Sequence, residues 1–94
     1  TTPMQLECAV EISNKYGLHA RASTRLAQVA KQFQAAILVS KVGDSEEVDA
    51  KSILGILTLG VEKGQMLRIR ADGDDAEQAM TAVVQLVQQN FGEE

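Results

Sequence analysis

The apolar residues of this chain change their spacing from one segment to the next, and that alternation of periods restricts the fold more than any single motif. Leu6, Cys8, Val10 and Ile12 alternate with Glu7, Ala9 and Glu11, which puts an apolar and a polar row on opposite faces of a strand. Ala22, Leu26, Val29, Ala30 and Phe33 then recur at helical spacing, the stripe of a helix over about residues 20–33. Ala36 to Val42 reads as a second strand, and its apolar richness makes it an interior one. Gly43-Asp44 predicts a hairpin turn into a short polar strand from Glu46 to Ala50. Ser52 is suited to cap a short helix that Gly60 would stop. Leu67, Ile69 and Ala71 alternate with Arg68 and Arg70 in a further strand, Met66 to Ala71. Asp74-Asp75-Ala76-Glu77 carries capping-box spacing ahead of a last helix over about residues 75–90. Its stripe is Ala76, Ala79, Met80, Val83, Val87 and Phe91. The order is βαββαβα. It predicts an α+β fold, a four-stranded antiparallel sheet covered on one face by helices.

Length and composition narrow the function. A chain of 94 residues accommodates one core, so residues 1–94 are expected to form a single domain. Aromatic residues are 3% of the chain, namely Tyr16, Phe33 and Phe91, so the core is aliphatic and platforms for stacking bases are missing. Nine basic residues against thirteen acidic ones give a net charge of −4, the wrong sign for phosphate-backbone binding. No nucleic acid is expected as a partner. The one cysteine, Cys8, lies in the inward row of the first strand and is expected to be a packing residue in a reducing compartment. Apolar runs stay short of the roughly 18 residues that span a bilayer, so no membrane insertion is expected. Thr1-Thr2-Pro3-Met4 lacks the layout of a signal peptide, and a cytoplasmic location is expected.

The chemistry centres on His19, the only histidine. It stands two residues after Gly17, at the entrance of the first helix, where backbone N–H groups have no partner within the helix and attract anions. Arg21 adds a planar fork of donors suited to phosphate oxygens. Arg21 and Arg25 both lie near a helix start, where the dipole disfavours cations, and an anion held there would explain them. Imidazole is a nucleophile that can pass on a group it has accepted. Reversible phosphorylation of His19 follows as the leading expectation. Rival chemistries lack motifs: there is no G-x-S-x-G elbow, no P-loop and no G-x-G-x-x-G. Asp72, Asp74 and Asp75 are the nearest approach to a metal cluster, and capping accounts for two of them, so neither metal nor cofactor is expected.

Gly17-Leu18-His19-Ala20-Arg21 makes the reading specific, because it resembles the active-site loop of the HPr family, the histidine-containing phosphocarriers of the bacterial phosphoenolpyruvate-dependent phosphotransferase system. The similarity extends over nearly the whole chain, through Asn14 to Arg21, Lys51-Ser52-Ile53 with Leu59-Gly60, and the Asp-rich start of the last helix. The resemblance implies an open-faced β-sandwich of order βαββαβα. It implies that His19 is the phospho-acceptor, taking a phosphoryl group from Enzyme I and giving it to a IIA domain for sugar uptake, with Arg21 steadying the group. It also implies Ser52 as a regulatory site for an HPr kinase/phosphorylase. Most family members carry Pro just after the Arg, whereas this chain has Ala22-Ser23. Ala is a good helix former, so the helix should persist with a less rigid entrance.

The segment Ile53-Leu54-Gly55-Ile56-Leu57-Thr58-Leu59 holds more large aliphatics than one face of a two-turn helix buries. Some of Ile53, Leu54 and Leu57 should therefore be exposed, as a partner-docking face with Ala20 and Thr24 on the side of the first helix. A carrier releases its partners quickly, so that interface should be small, toward the low end of roughly 1,200 Å². The protein is expected to act as a monomer, a transferase component with no turnover of its own. Asn90-Phe91-Gly92-Glu93-Glu94 is similar to nitrogen-branch members of the family. They supply the alternative, a regulatory phosphoprotein that binds partners, including a nitrogen-branch IIA, according to its phosphorylation state. A third class, an α+β domain binding a small ligand or RNA, is disfavoured by the acidity and the scarcity of aromatics.

Overall fold

A computed structural model describes residues 5–93; the readings of Thr1–Met4 as lacking a signal peptide and of Glu94 as part of a family-like ending lie outside the described residues. The elements follow the predicted order: β1 (Gln5–Glu11), α1 (Ala20–Ala30), β2 (Ala36–Lys41), β3 (Glu47–Asp49), α2 (Ile53–Leu59), β4 (Met66–Asp72) and α3 (Ala76–Gln88), then a short 3₁₀ turn at Asn90–Gly92. The sheet order is β1-β4-β2-β3, with every neighbouring pair antiparallel. β1 and β2 therefore run parallel to each other with β4 between them, Ile69 opposing Cys8 on one side and Val39 on the other. α1 makes the crossover from β1 to β2, and α2 carries the chain back into the gap that β4 fills.

Period two explains the sheet. Leu67, Ile69 and Ala71 of β4 and Ile37 and Val39 of β2 are all at most 1% exposed and face the helices. The other face is open and charged, with Arg68 paired to Glu7 at 3.5 Å and Arg70 to Glu47 at 3.3 Å. β2 is interior, as its composition predicts. Ala22, Ser23, Leu26, Ala27 and Ala30 of α1 and Ala76, Ala79, Val83 and Val87 of α3 complete the core. Small residues at these contacts let the helices approach the sheet closely. Ala22 is fully buried in an unbroken helix, so replacing proline leaves α1 intact.

The boundaries and caps differ in informative ways. α1 ends at Ala30 rather than residue 33, and the chain turns there through Gln32 and Phe33, whose amides donate to Val29 and Ala30. Phe33 is half-buried, and its carbonyl accepts from Lys51 Nζ at 2.9 Å. α3 ends at Gln88, short of residue 90. Asn90, Phe91 and Gly92 follow with φ of 55°, 58° and 78°, so Phe91 enters the core from a left-handed turn rather than from a helical stripe.

The predicted capping box at Asp74-Asp75-Ala76-Glu77 is not formed. Asp75 occupies the N-cap position, but its carboxylate makes no bond to α3. It accepts instead from the amides of Gln34 at 2.9 Å and Ala35 at 2.8 Å. Gly73 lies so close to Ala35 that a Cβ would stand 2.9 Å from its Cα, so the two loops are in contact beside these bonds. Cys8 is half-buried, with Sγ 3.3 Å from Met80 Sδ. Burial, and then the charge of Glu7, push its thiol above the usual range, which suits a packing residue.

Candidate functional site

The loop between β1 and α1 delivers His19 to its post. Gly17 adopts φ 65°, and a Cβ there would meet Val61 O at 2.6 Å, so only glycine fits. The chain beside it is pinned by Leu18 N donating to Val61 O at 2.9 Å and by Asn14 Nδ2 donating to Gly17 O at 2.7 Å. Ser23 Oγ reaches back from α1 to Leu18 O at 3.1 Å. Ser23 stands beside the expected proline position, and its buried hydroxyl ties the helix to the loop. It stiffens the entrance by a different route.

His19 is the N-cap of α1, with extended backbone. Its Nδ1 accepts from the Arg21 amide at 3.1 Å, so Nδ1 presents a lone pair toward the helix N-terminus and Nε2 carries the hydrogen. Nε2 lies 2.6 Å from Glu93 Oε2 and donates to it. The edge of Tyr16 packs on the ring, centroids 5.9 Å apart and planes at 80°. Lys15 and Tyr16, with Arg21, Gly92 and Glu93, border an open cavity around the imidazole.

Glu93 is anchored from both ends. Oε1 accepts from Asn14 Nδ2 at 3.1 Å, and Oε2 takes the His19 bond. Burial disfavours its charge, but the bonds from Asn14 and His19 and the positive charge of Arg21 outweigh burial and hold the carboxyl below the usual carboxylate range. The residues ahead of it secure the approach. Phe91 is 1% exposed, Ser13 Oγ donates to Asn90 Oδ1 at 2.7 Å, and Arg25 Nη1 donates to Phe91 O.

That last bond corrects one expectation. Arg25 serves the carbonyl of the turn after α3 and is not spent on an anion, while the exposed Arg21 stands beside His19. Ser52 caps α2 as expected, its Oγ accepting from Gly55 N at 3.1 Å, and Gly60 ends that helix in a left-handed conformation. α1 and α2 pack against each other. Leu54 is 76% exposed and Leu57 37%, Ile53 is half-buried, and Ile56 and Leu59 turn into the core. On α1, Ala20 is exposed and Thr24 half-buried, its hydroxyl donating to Ala20 O at 2.8 Å. Among the described residues there is no cluster of three potential metal ligands. Asn14, Ser23 and Glu93 escaped sequence reasoning, and only Asn14 and Ser23 lie near enough to His19 in the chain for a local motif to suggest them.

Known proteins resemble this chain over nearly its full length. A family model described as the PTS HPr component phosphorylation site matches residues 6–89. The phosphocarrier protein HPr of Xylella fastidiosa is 40% identical over 95% of this chain and 98% of its own length. The multiphosphoryl transfer protein of Salmonella typhimurium is 39% identical over 87% of this chain, which spans 22% of that longer protein. The crystal structure of HPr from Thermoanaerobacter tengcongensis superposes with a TM-score of 0.89 at 46% identity, covering 95% of this chain and 98% of that one. Fold, loop and sequence agree, and the chain belongs to the HPr family, the phosphocarriers of the phosphotransferase system.

Proposed function

We propose that His19 accepts a phosphoryl group on Nδ1 from Enzyme I and donates it to the IIA domain of a sugar permease. The observation that carries this reading is the Nδ1 lone pair held against the Arg21 amide at the N-terminus of α1. In the acceptance step that lone pair attacks phosphorus, and the bond from phosphorus to the donor atom of Enzyme I breaks. The phosphoryl oxygens arrive where the free amides of α1 and the Arg21 guanidinium meet them. Donation reverses the sequence with the IIA domain as acceptor. Between the two steps the protein stores a reactive group and catalyses no turnover of its own.

The exposed Leu54 and Leu57, with Ala20 and Thr24 on α1, form the face on which both partners dock. The face suits brief encounters by a monomer in the cytoplasm. Ser52 is the site at which an HPr kinase/phosphorylase modifies the protein, a role supported by its exposure and its place beside Ile53 and Leu54. The relatives named above carry the HPr or multiphosphoryl transfer protein name and none that of a nitrogen-branch member, which supports the sugar-uptake chain over that alternative.

Incubation with Enzyme I and labelled phosphoenolpyruvate tests the reading. The parent protein takes up an acid-labile label and His19→Ala takes up none while keeping its fold. Full labelling of that variant would remove His19 from the reaction.

A further inference from the structure

We propose that Glu93 is a positioning residue for phosphoryl transfer, holding the Nε2–H of His19 and balancing the positive charge that the ring acquires when Nδ1 bonds to phosphorus. The inference rests on the carrier reading and adds to it a residue 74 positions away from the histidine.

The electron count makes the role specific. The imidazole starts with a lone pair on Nδ1 and a hydrogen on Nε2. Attack on phosphorus commits that lone pair to the new N–P bond, while the electrons of the breaking bond stay with the donor atom. The ring still holds the Nε2 hydrogen, so it becomes a phosphoimidazolium with a formal positive charge. That charge develops 2.6 Å from Glu93 Oε2, in a pair whose carboxylate side chain is only 10% exposed. Donation passes through the same charged ring, because a protonated imidazole leaves phosphorus more readily than its anion. One carboxylate therefore favours acceptance and keeps the phosphorylated ring in the protonated form from which donation proceeds.

The surroundings show a carboxylate brought there and held. Asn14 Nδ2 fixes the second oxygen at 3.1 Å, so Oε2 faces the ring. The turn through Asn90 and Phe91 puts two non-glycine residues at positive φ, and Phe91 anchors it in the core. Arg25 and Ser13 bond to that turn from α1 and the His19 loop. The same two elements that place the histidine thus also place its partner. Of the other charged groups around the ring, Arg21 and Lys15 border the same cavity, and Lys15 lies over Tyr16, 5.3 Å from its centroid. Glu93 supplies the negative charge at Nε2.

Three proteins, the parent, Glu93→Gln and Glu93→Ala, are compared in phosphoryl acceptance from Enzyme I and donation to a IIA domain, with ring-NMR spectra of each. The parent should show an Nε2–H resonance shifted downfield and protected from exchange. Glutamine keeps an oxygen acceptor without the charge, so Glu93→Gln retains a protected Nε2–H and Glu93→Ala loses it. Exchanging a charge-assisted for a neutral hydrogen bond should slow maximal acceptance and donation together by about ten-fold in Glu93→Gln, with KM for Enzyme I unchanged. Parental rates in Glu93→Gln, a change confined to KM, or faster transfer in either variant would each overturn the proposal, the last by making Glu93 a mask. A parent protein that takes no label overturns the carrier reading itself, an outcome distinct from these three.

Discussion

At the scale of the residue, the site depends on which hydrogen bond each ring nitrogen makes. The Arg21 backbone and side chain act separately: the amide bonds Nδ1, whereas the guanidinium projects into the exposed surroundings of the ring. Arg21→Ala keeps the amide and removes the fork, so transfer should slow without ending. Loss of one charge-assisted phosphate contact, worth about 1.5 to 3 kcal/mol, corresponds to roughly a ten- to hundred-fold lower rate of acceptance from Enzyme I. Stopped-flow transfer measurements check this, and unchanged rates would reduce Arg21 to a solvated charge. Asn14 shows how much one buried amide can do. It is 2% exposed, and a single Nδ2 secures both the loop carbonyl of Gly17 and the carboxylate of Glu93.

At the scale of the element, caps and turns decide what the helices present. α2 is short, begins at the Ser52 hydroxyl and stops at a left-handed Gly60, and within that length it buries Ile56 and Leu59 and exposes Leu54 and Leu57. Aspartate caps about as well as serine, so Ser52→Asp should leave stability within about 1 kcal/mol of the parent. Its charge, next to an apolar docking face, should nonetheless slow phosphorylation of His19 through desolvation and repulsion. A melting curve and a transfer rate measured on the same variant separate the two effects. An unchanged rate would leave Ser52 as a cap alone. The turn after α3 is the converse case. Asn90 and Phe91 adopt a conformation that costs non-glycine residues on the order of 1–3 kcal/mol each, and the burial of Phe91 with the bonds from Ser13 and Arg25 offsets it.

At the scale of the whole molecule, the two halves of the sheet are tied together by contacts between distant loops. Asp75 is the clearest, since its carboxylate spans from the start of α3 to the amides of Gln34 and Ala35. The Gln34 amide chiefly, helped by Ala35, holds that carboxyl below the usual carboxylate range despite some desolvation. A depressed folded-state value contributes stability above the unfolded value and loses it as pH falls through the folded one. Asp75→Asn has one oxygen for two amides and should melt at a lower temperature than the parent at neutral pH. The gap should close as pH drops below the ordinary carboxylate range, where the parent aspartate is protonated too. Scans across pH test this, and a gap independent of pH would mean that the charge contributes nothing.

The information carried by neighbouring residues was enough for much of this protein. Periods of two and 3.6, the cap at Ser52 and the stop at Gly60 depend on a few adjacent side chains, and they specified the order of elements and the exposed leucines. The same local rules failed where a polar group had a choice of partners. Arg25 and Asp75 both carried local signals, an anion site and a capping box, and both turned to backbone groups on another element. Glu93 had no local signal at all, because it follows the last helical stripe. Only the tertiary structure brought it to His19: inserting β4 between β1 and β2 lays α3 alongside α1, so the chain leaving α3 passes the start of α1. A sequence pattern records which face of an element is apolar. Which charge meets which histidine depends on how those faces stack, and that is settled only when the whole core closes.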